Sequence, residues 1–222
     1  MRFLRSLSFA ALLALPACVA TPQPNPPLLD PDRLASGTTR GSFNDLVGGV
    51  GAIDPPEATL RITPLDATRD PVLVTPRADG SFEVALEWGR HRLQPQLDGA
   101  RGPIVDITLD AGLVVLAPRP ACLRAPLEQG LPDTPIGATG EASVELANDC
   151  AGEVLIEQAL LRGPSRFEVL DAPARIAPGA VASVRVRFAP DADRIEEEVL
   201  RLDVREGALE QRFVTLFGAG TR

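Results

Sequence analysis

Pro178-Gly179-Ala180-Val181-Ala182-Ser183-Val184-Arg185-Val186-Arg187-Phe188-Ala189-Pro190 is the stretch on which the fold turns. Pro178-Gly179 is a turn signal. The residues that follow alternate, so Val184, Val186 and Phe188 face one way while Arg185 and Arg187 face solvent. Pro190 cannot donate to a ladder and ends the strand. A half-buried strand between a turn and a stop is the repeating unit of a β-sandwich, and the chain repeats it in both directions.

Upstream, Ala58-Thr59-Leu60-Arg61-Ile62 alternates, Val72-Leu73-Val74 is a short apolar run, and Ala78-Asp79-Gly80 is a turn. Phe82, Val84, Leu86 and Trp88 then occupy every second position, which predicts one face of a strand and puts Trp88 in the core with the other three. Leu93 and Leu97 continue after Gly89, Val105-Asp106-Ile107-Thr108-Leu109 alternates, and Leu113 to Leu116 follows a turn at Asp110-Ala111-Gly112. About seven short strands with regular turn signals predict a sandwich. In the second half, residues 153–162 and 195–206 have a composition that fits helix or strand. Ile195, Val199 and Leu202 have helical spacing, whereas Leu200, Leu202 and Val204 have strand spacing. The sandwich pattern around them selects strands.

Composition removes several functions. The chain has 222 residues, 22 cationic side chains that are all Arg, 30 acidic residues, one His and three Cys. A net charge of −8, or −10 without the two arginines of residues 1–17, opposes binding to a phosphate backbone, so nucleic acid is not an expected partner. The absence of Lys removes Schiff-base chemistry and the phosphate-loop lysine. One His with so few Cys leaves little for a transition metal. No cofactor is expected.

Two stretches resemble known families. Thr75, Ala78-Asp79-Gly80-Ser81-Phe82, Trp88-Gly89 and His91-Arg92-Leu93 resemble the pattern of carboxypeptidase regulatory-like, transthyretin-like domains, over residues 41–118. His91 stands where that family usually has an aromatic residue. The resemblance implies a spacer or interaction module and does not imply peptidase activity. Residues 121–222 contain Ala142-Ser143-Val144-Glu145-Leu146-Ala147-Asn148, Phe167-Glu168-Val169, Ile176-Ala177-Pro178-Gly179, the strand quoted at the outset, and Leu216-Phe217-Gly218-Ala219-Gly220. In that order they resemble the immunoglobulin-like ASH/Hydin-type domain and choice-of-anchor D-like proteins. The expected fold is therefore all-β: two tandem immunoglobulin-like/transthyretin-like sandwiches, joined by the stiff link Ala117-Pro118-Arg119-Pro120-Ala121.

The N-terminus reads as an export signal. A charged start, Met1-Arg2-Phe3-Leu4-Arg5, precedes an apolar stretch from Leu7 to Leu15 that is too short to span a bilayer. Leu15-Pro16-Ala17-Cys18 resembles the lipobox of bacterial lipoproteins, although Pro16 is an unusual occupant of its position. The resemblance implies removal of residues 1–17 and lipidation of Cys18, with Val19 in place of the Asp that marks inner-membrane retention. The implied location is the cell envelope, in the outer membrane. An ordinary secretory peptide cut near Ala17 or Ala20 is the other reading. Cysteine arithmetic favours lipidation, because it leaves Cys122 and Cys150 as an even pair for a disulfide. Closing that loop in an oxidising compartment stabilises by roughly 3 to 4 kcal/mol. Residues 18–40, rich in proline, are expected to form an extended tether from the lipidated Cys, reaching at most roughly 70 Å at about 3.1 Å per residue.

The candidate chemistry is sparse. His91 has no Ser or Cys nucleophile motif beside it and reads as a surface or edge histidine. Asp191, Asp193, Glu196, Glu197 and Glu198 offer carboxylates for Ca²⁺ but lack an ordered loop with its glycine, and read as a solvated acidic turn. Gly48-Gly49-Val50-Gly51 reads as the flexible start of a strand, since no helix signal follows. No nucleophile elbow, zinc-protease pair or Cys-x-x-Cys is present. The expectation is a non-catalytic, lipid-anchored envelope protein that presents sandwich surfaces to a protein partner, with Arg185 and Arg187 bordering one such surface. The alternative is an accessory lipoprotein that binds glycan or Ca²⁺. An exposed aromatic platform or converging carboxylates would distinguish it.

Overall fold

The computed structural model describes residues 25–110, 113–116 and 122–222. Cys18, the signal peptide and the link 117–121 lie outside them. The fold is all-β, as the alternating pattern requires.

The first domain runs through β1 (Leu34–Arg40), β2 (Phe43–Gly48), β3 (Thr59–Pro64), β4 (Val72–Val74), β5 (Phe82–Glu87), β6 (Gly89–Leu97), β7 (Val105–Asp110) and β8 (Leu113–Leu116). One antiparallel sheet has the order β1-β2-β5 and the other β8-β7-β6-β3-β4. Leu46, Leu60, Ile62, Phe82, Leu86, Leu93, Ile107 and Leu109 fill the space between them. The Asp79-Gly80 turn packs tightly: Gly80 has φ +75°, and a Cβ there would lie 2.4 Å from the Ile53 carbonyl oxygen.

The second domain runs through β9 (Leu123–Arg124), β10 (Glu128–Gly130), β11 (Gly140–Asn148), β12 (Val154–Leu161), β13 (Phe167–Asp171), β14 (Arg175–Ile176), β15 (Val181–Phe188), β16 (Ile195–Glu206) and β17 (Ala208–Thr221). Its sheets have the orders β9-β11-β15-β13 and β10-β17-β16-β12-β14. Val184, Val186 and Phe188 of β15 are fully buried, and Phe188 stacks on Phe167 with ring centroids 4.7 Å apart. The two ambiguous segments are strands β12 and β16. Leu200, Leu202 and Val204 of β16 are buried, so strand spacing wins over helical spacing. Cys122 and Cys150 form a disulfide with Cα atoms 4.7 Å apart. Buried Asn148 organises that end: its Nδ2 donates to the carbonyls of Ile176 (2.8 Å) and Gly152 (3.0 Å), and its Oδ1 accepts from the Cys150 N–H (2.9 Å).

Two expectations are corrected here. The tether was expected to extend to residue 40, yet residues 28–40 belong to the first domain. Leu28–Leu29 pairs with Ile53–Asp54, Leu29 enters the core, and β1 pairs with β2. The prolines misled because Pro31 opens a short 3-10 turn, Pro31–Arg33, capped by Asp30, instead of continuing an extended chain. The arginine that follows braces the glycine loop. Its carbonyl accepts from the Gly49 N–H (3.0 Å) and its guanidinium donates to the Val50 carbonyl. Trp88 is the second correction. It lies past the end of β5, where Gly89 (φ +132°) turns the chain into β6, and it is 45% exposed instead of packed in the core.

Candidate functional site

The face of β6 that turns away from the first core is covered by the second domain. Arg92 on that face is 3% exposed. It grips Asp106 in bidentate fashion, with Nε to Oδ1 and Nη2 to Oδ2 both 2.7 Å. The same guanidinium donates to the Leu127 carbonyl (2.5 Å), Thr215 Oγ1 (2.9 Å) and the Phe213 carbonyl (3.0 Å) of the second domain. Around it, Arg90 lies over the Phe213 ring at 4.8 Å, and Arg101 over the Phe217 ring at 4.6 Å while pairing with Glu128 and Glu197. Arg162 of the second domain donates to the Pro64 carbonyl (2.8 Å), and Thr68 donates to the Arg162 carbonyl (2.8 Å). Leu65, Val199 and Phe213 form a small apolar cluster at the junction. The sequence reading missed this interface. Its one signal was an Arg between His91 and Leu93 of a strand, which looks like an ordinary solvent-facing residue when nothing reveals that a second domain covers that face.

A second feature is a half-open cleft of about 110 Å³ at the end of β5. Trp88, Phe43 and Val72 are exposed around it at 45%, 40% and 38%. Asp66, Arg69, Asp70, Glu87 and Arg90 line it as well. Arg69 pairs with Glu87 (2.6 Å) and Arg90 with Asp66 (3.0 Å). His91 also lines the cleft, and here the expectation of a surface histidine is corrected: it is 4% exposed, on a strand with neighbours on both sides. Its Nε2 lies 2.8 Å from the Glu87 carbonyl oxygen, so Nε2 carries the proton and Nδ1 is an acceptor, left without a partner. Burial holds the imidazole below its ordinary value, against weaker pulls from the Glu87 carbonyl bond and the Asp66 and Glu87 charges.

Arg185 and Arg187 face solvent from β15, as the alternation predicts, but neither carries a free charge. Arg185 pairs with Glu141 (2.9 Å), and Arg187 with Glu141 and Glu168 (3.4 Å each). The two arginines hold the Glu141 carboxyl below its ordinary value. The acidic segment behaves alike. Asp191 meets Arg166 and Arg194, Asp193 meets Arg222, Glu196 meets Arg194, Glu197 meets Arg61 and Arg101, and Glu198 meets Arg162. Asp191 and Glu196 share Arg194 and the others engage other arginines, so among the described residues these carboxylates do not gather as a metal-ligand group.

Among the described residues, the group with metal-ligand proximity is Cys122, Cys150 and Glu206, and both sulfurs are committed to the disulfide. No helix among the described residues is long and apolar enough to cross a membrane.

No protein-family model matches the sequence, and no curated protein is significantly similar to it. Among solved structures, the chain is similar to the ASH/PapD-like domain of human CEP192 (PapD-like domain 7), at 14% identity and a TM-score of 0.38, covering 51% of this chain and 97% of that one. It is similar to a protein of unknown function from Porphyromonas gingivalis W83, at 13% identity and a TM-score of 0.39, covering 87% and 99%. The VesB protease of Vibrio cholerae follows at 14% identity and a TM-score of 0.41, covering 74% of this chain and 63% of that protein. These are likenesses of β architecture at low identity.

Proposed function

We propose that this chain is a non-catalytic, lipid-anchored protein of the bacterial cell envelope that acts as a protein-interaction or scaffold module, held in the outer membrane through Cys18. The observation that carries the scaffold reading is the junction at Arg92. Inter-domain contacts are mobile by default, whereas here one buried guanidinium, fixed by two hydrogen bonds to Asp106 of its own sandwich, sends three more across to the second. Such a tie serves a protein whose two surfaces must keep a fixed relation. Side chains support the non-catalytic reading. The single His is buried and hydrogen-bonded to a backbone carbonyl, and the described cysteines are paired.

Fractionation and crosslinking test the proposal. Cys18→Ser should release the protein from the membrane fraction or block its processing. Retention of a normally processed Cys18→Ser form in membranes would reject the anchor. Crosslinking in native cells should capture the same envelope protein from the intact chain and lose it when Arg92→Met unties the domains. Robust turnover by the purified protein would reject the non-enzyme reading.

The glycan form of the alternative function gains a specific observation in the exposed Trp88 cleft. The Ca²⁺ form gains none, because the acidic segment is spent on arginines.

A further inference from the structure

We infer that the cleft bounded by Trp88, Phe43, Val72 and Asp70 is a binding site for one pyranose ring of an uncharged glycan. The inference goes beyond the scaffold reading and does not depend on it.

Size is the first argument. Pockets for cofactors and drug-sized ligands run to roughly 300–1,000 Å³, and an engineered apolar cavity of about 150 Å³ takes a benzene ring. At about 110 Å³ and open on one side, this cleft seats part of a single six-membered ring and leaves its other side in water. Chemistry is the second. A pyranose has an apolar face of C–H groups and an equator of hydroxyls. Trp88 and Phe43 supply exposed flat apolar surface, the kind of large ring that proteins otherwise bury or place at interfaces. One polar group complements the equator: Asp70, exposed in the lining, has no ion-pair or hydrogen-bond partner among the described residues. A purely aliphatic side chain from a protein partner would cover Trp88 but offer Asp70 no donor.

Charge decides the class of sugar. Asp66 and Glu87 are neutralised by Arg90 and Arg69, so the remaining charge of the lining is that of Asp70. An acidic sugar would meet that carboxylate on a chain whose net charge is already −8. An uncharged ring brings hydroxyl donors to Asp70 and no charge to oppose it.

Trp88 is the single Trp of a chain without Tyr, so its emission reports on this cleft alone. The full folded protein is titrated with cellotetraose, maltotetraose, mannotetraose and chitotetraose, and with tetragalacturonate as the acidic control. At least one neutral tetrasaccharide should shift Trp88 emission saturably, and the acidic one should not. Calorimetry should then show the binding weakened about tenfold or more by Asp70→Ala and by Trp88→Ala, with thermal midpoints unchanged. Three results would overturn the assignment: no saturable shift with any neutral tetrasaccharide, binding that survives Trp88→Ala, or a photo-crosslinker at Ala67 that captures a polypeptide shielding Trp88. The last would give the cleft to a partner's side chain. Partner capture at this or any other surface bears separately on the scaffold reading.

Discussion

His91 shows how one residue's surroundings set its role. Because burial favours its neutral form, its folded-state value lies below the 6.5 of an unperturbed His. The unfolded chain therefore takes up a proton first as pH falls. The stability that neutral His91 contributes is present above about pH 6.5 and is lost as pH falls toward the folded-state value. Urea midpoints should decline across that window in the wild type, and the decline should be shallower in His91→Gln. A window of equal slope in both would show that other groups govern it. The disulfide is a second test at this scale. Cys150→Ala should cost about 2–5 kcal/mol in chemical denaturation.

At the scale of the strand, β15 and β5 make a useful contrast. On β15 the outward arginines are exposed and laced to Glu141 and Glu168, so breaking that ladder should be cheap. Arg187→Ala should change stability by about 1 kcal/mol or less, read as a shift in thermal midpoint. Gly80→Ala at the turn before β5 should cost more, because the added Cβ meets the Ile53 carbonyl and the backbone has positive φ. The alternation of β15 was legible because its residues all lie within the sheet, with a proline stop at the end. The same alternation misplaced Trp88, since a period of two predicts the face on which a side chain lies but not where the opposing sheet runs out. Hydrophobic pattern was also silent on residues 28–40. Leu28, Leu29 and Leu34 are too few to show a period, and the pairing that recruits them comes from Ile53–Asp54, distant in sequence, and from the β1–β2 hairpin. Of the cleft, the sequence offered Trp88 and His91 as separate residues. Their meeting with Phe43, Val72 and Asp70 depends on long-range pairing that no local pattern reports.

For the whole molecule, Arg92 is the member whose loss should be felt in both domains at once. Arg92→Met removes a nearly fully buried guanidinium and leaves the Asp106 carboxylate and the Leu127 and Phe213 carbonyls without it. Breaking a buried pair costs about 3–5 kcal/mol. Calorimetry should show one unfolding event for the wild type and two for Arg92→Met, one per sandwich, and small-angle scattering of the variant should show a broader distribution of dimensions. A single transition with unchanged scattering would mean that the surrounding arginines carry the junction without it. The recruitment of residues 28–40 has a mechanical consequence as well. A pull on the N-terminal end is borne first by the two-residue pairing of Leu28–Leu29 with Ile53–Asp54, and only afterwards by the longer ladder between β1 and β2. Under tension the chain should therefore pay out in stages, lengthening by a few residues as a weak fuse opens and draws Leu29 out while the rest of the first core and the whole of the second stay closed.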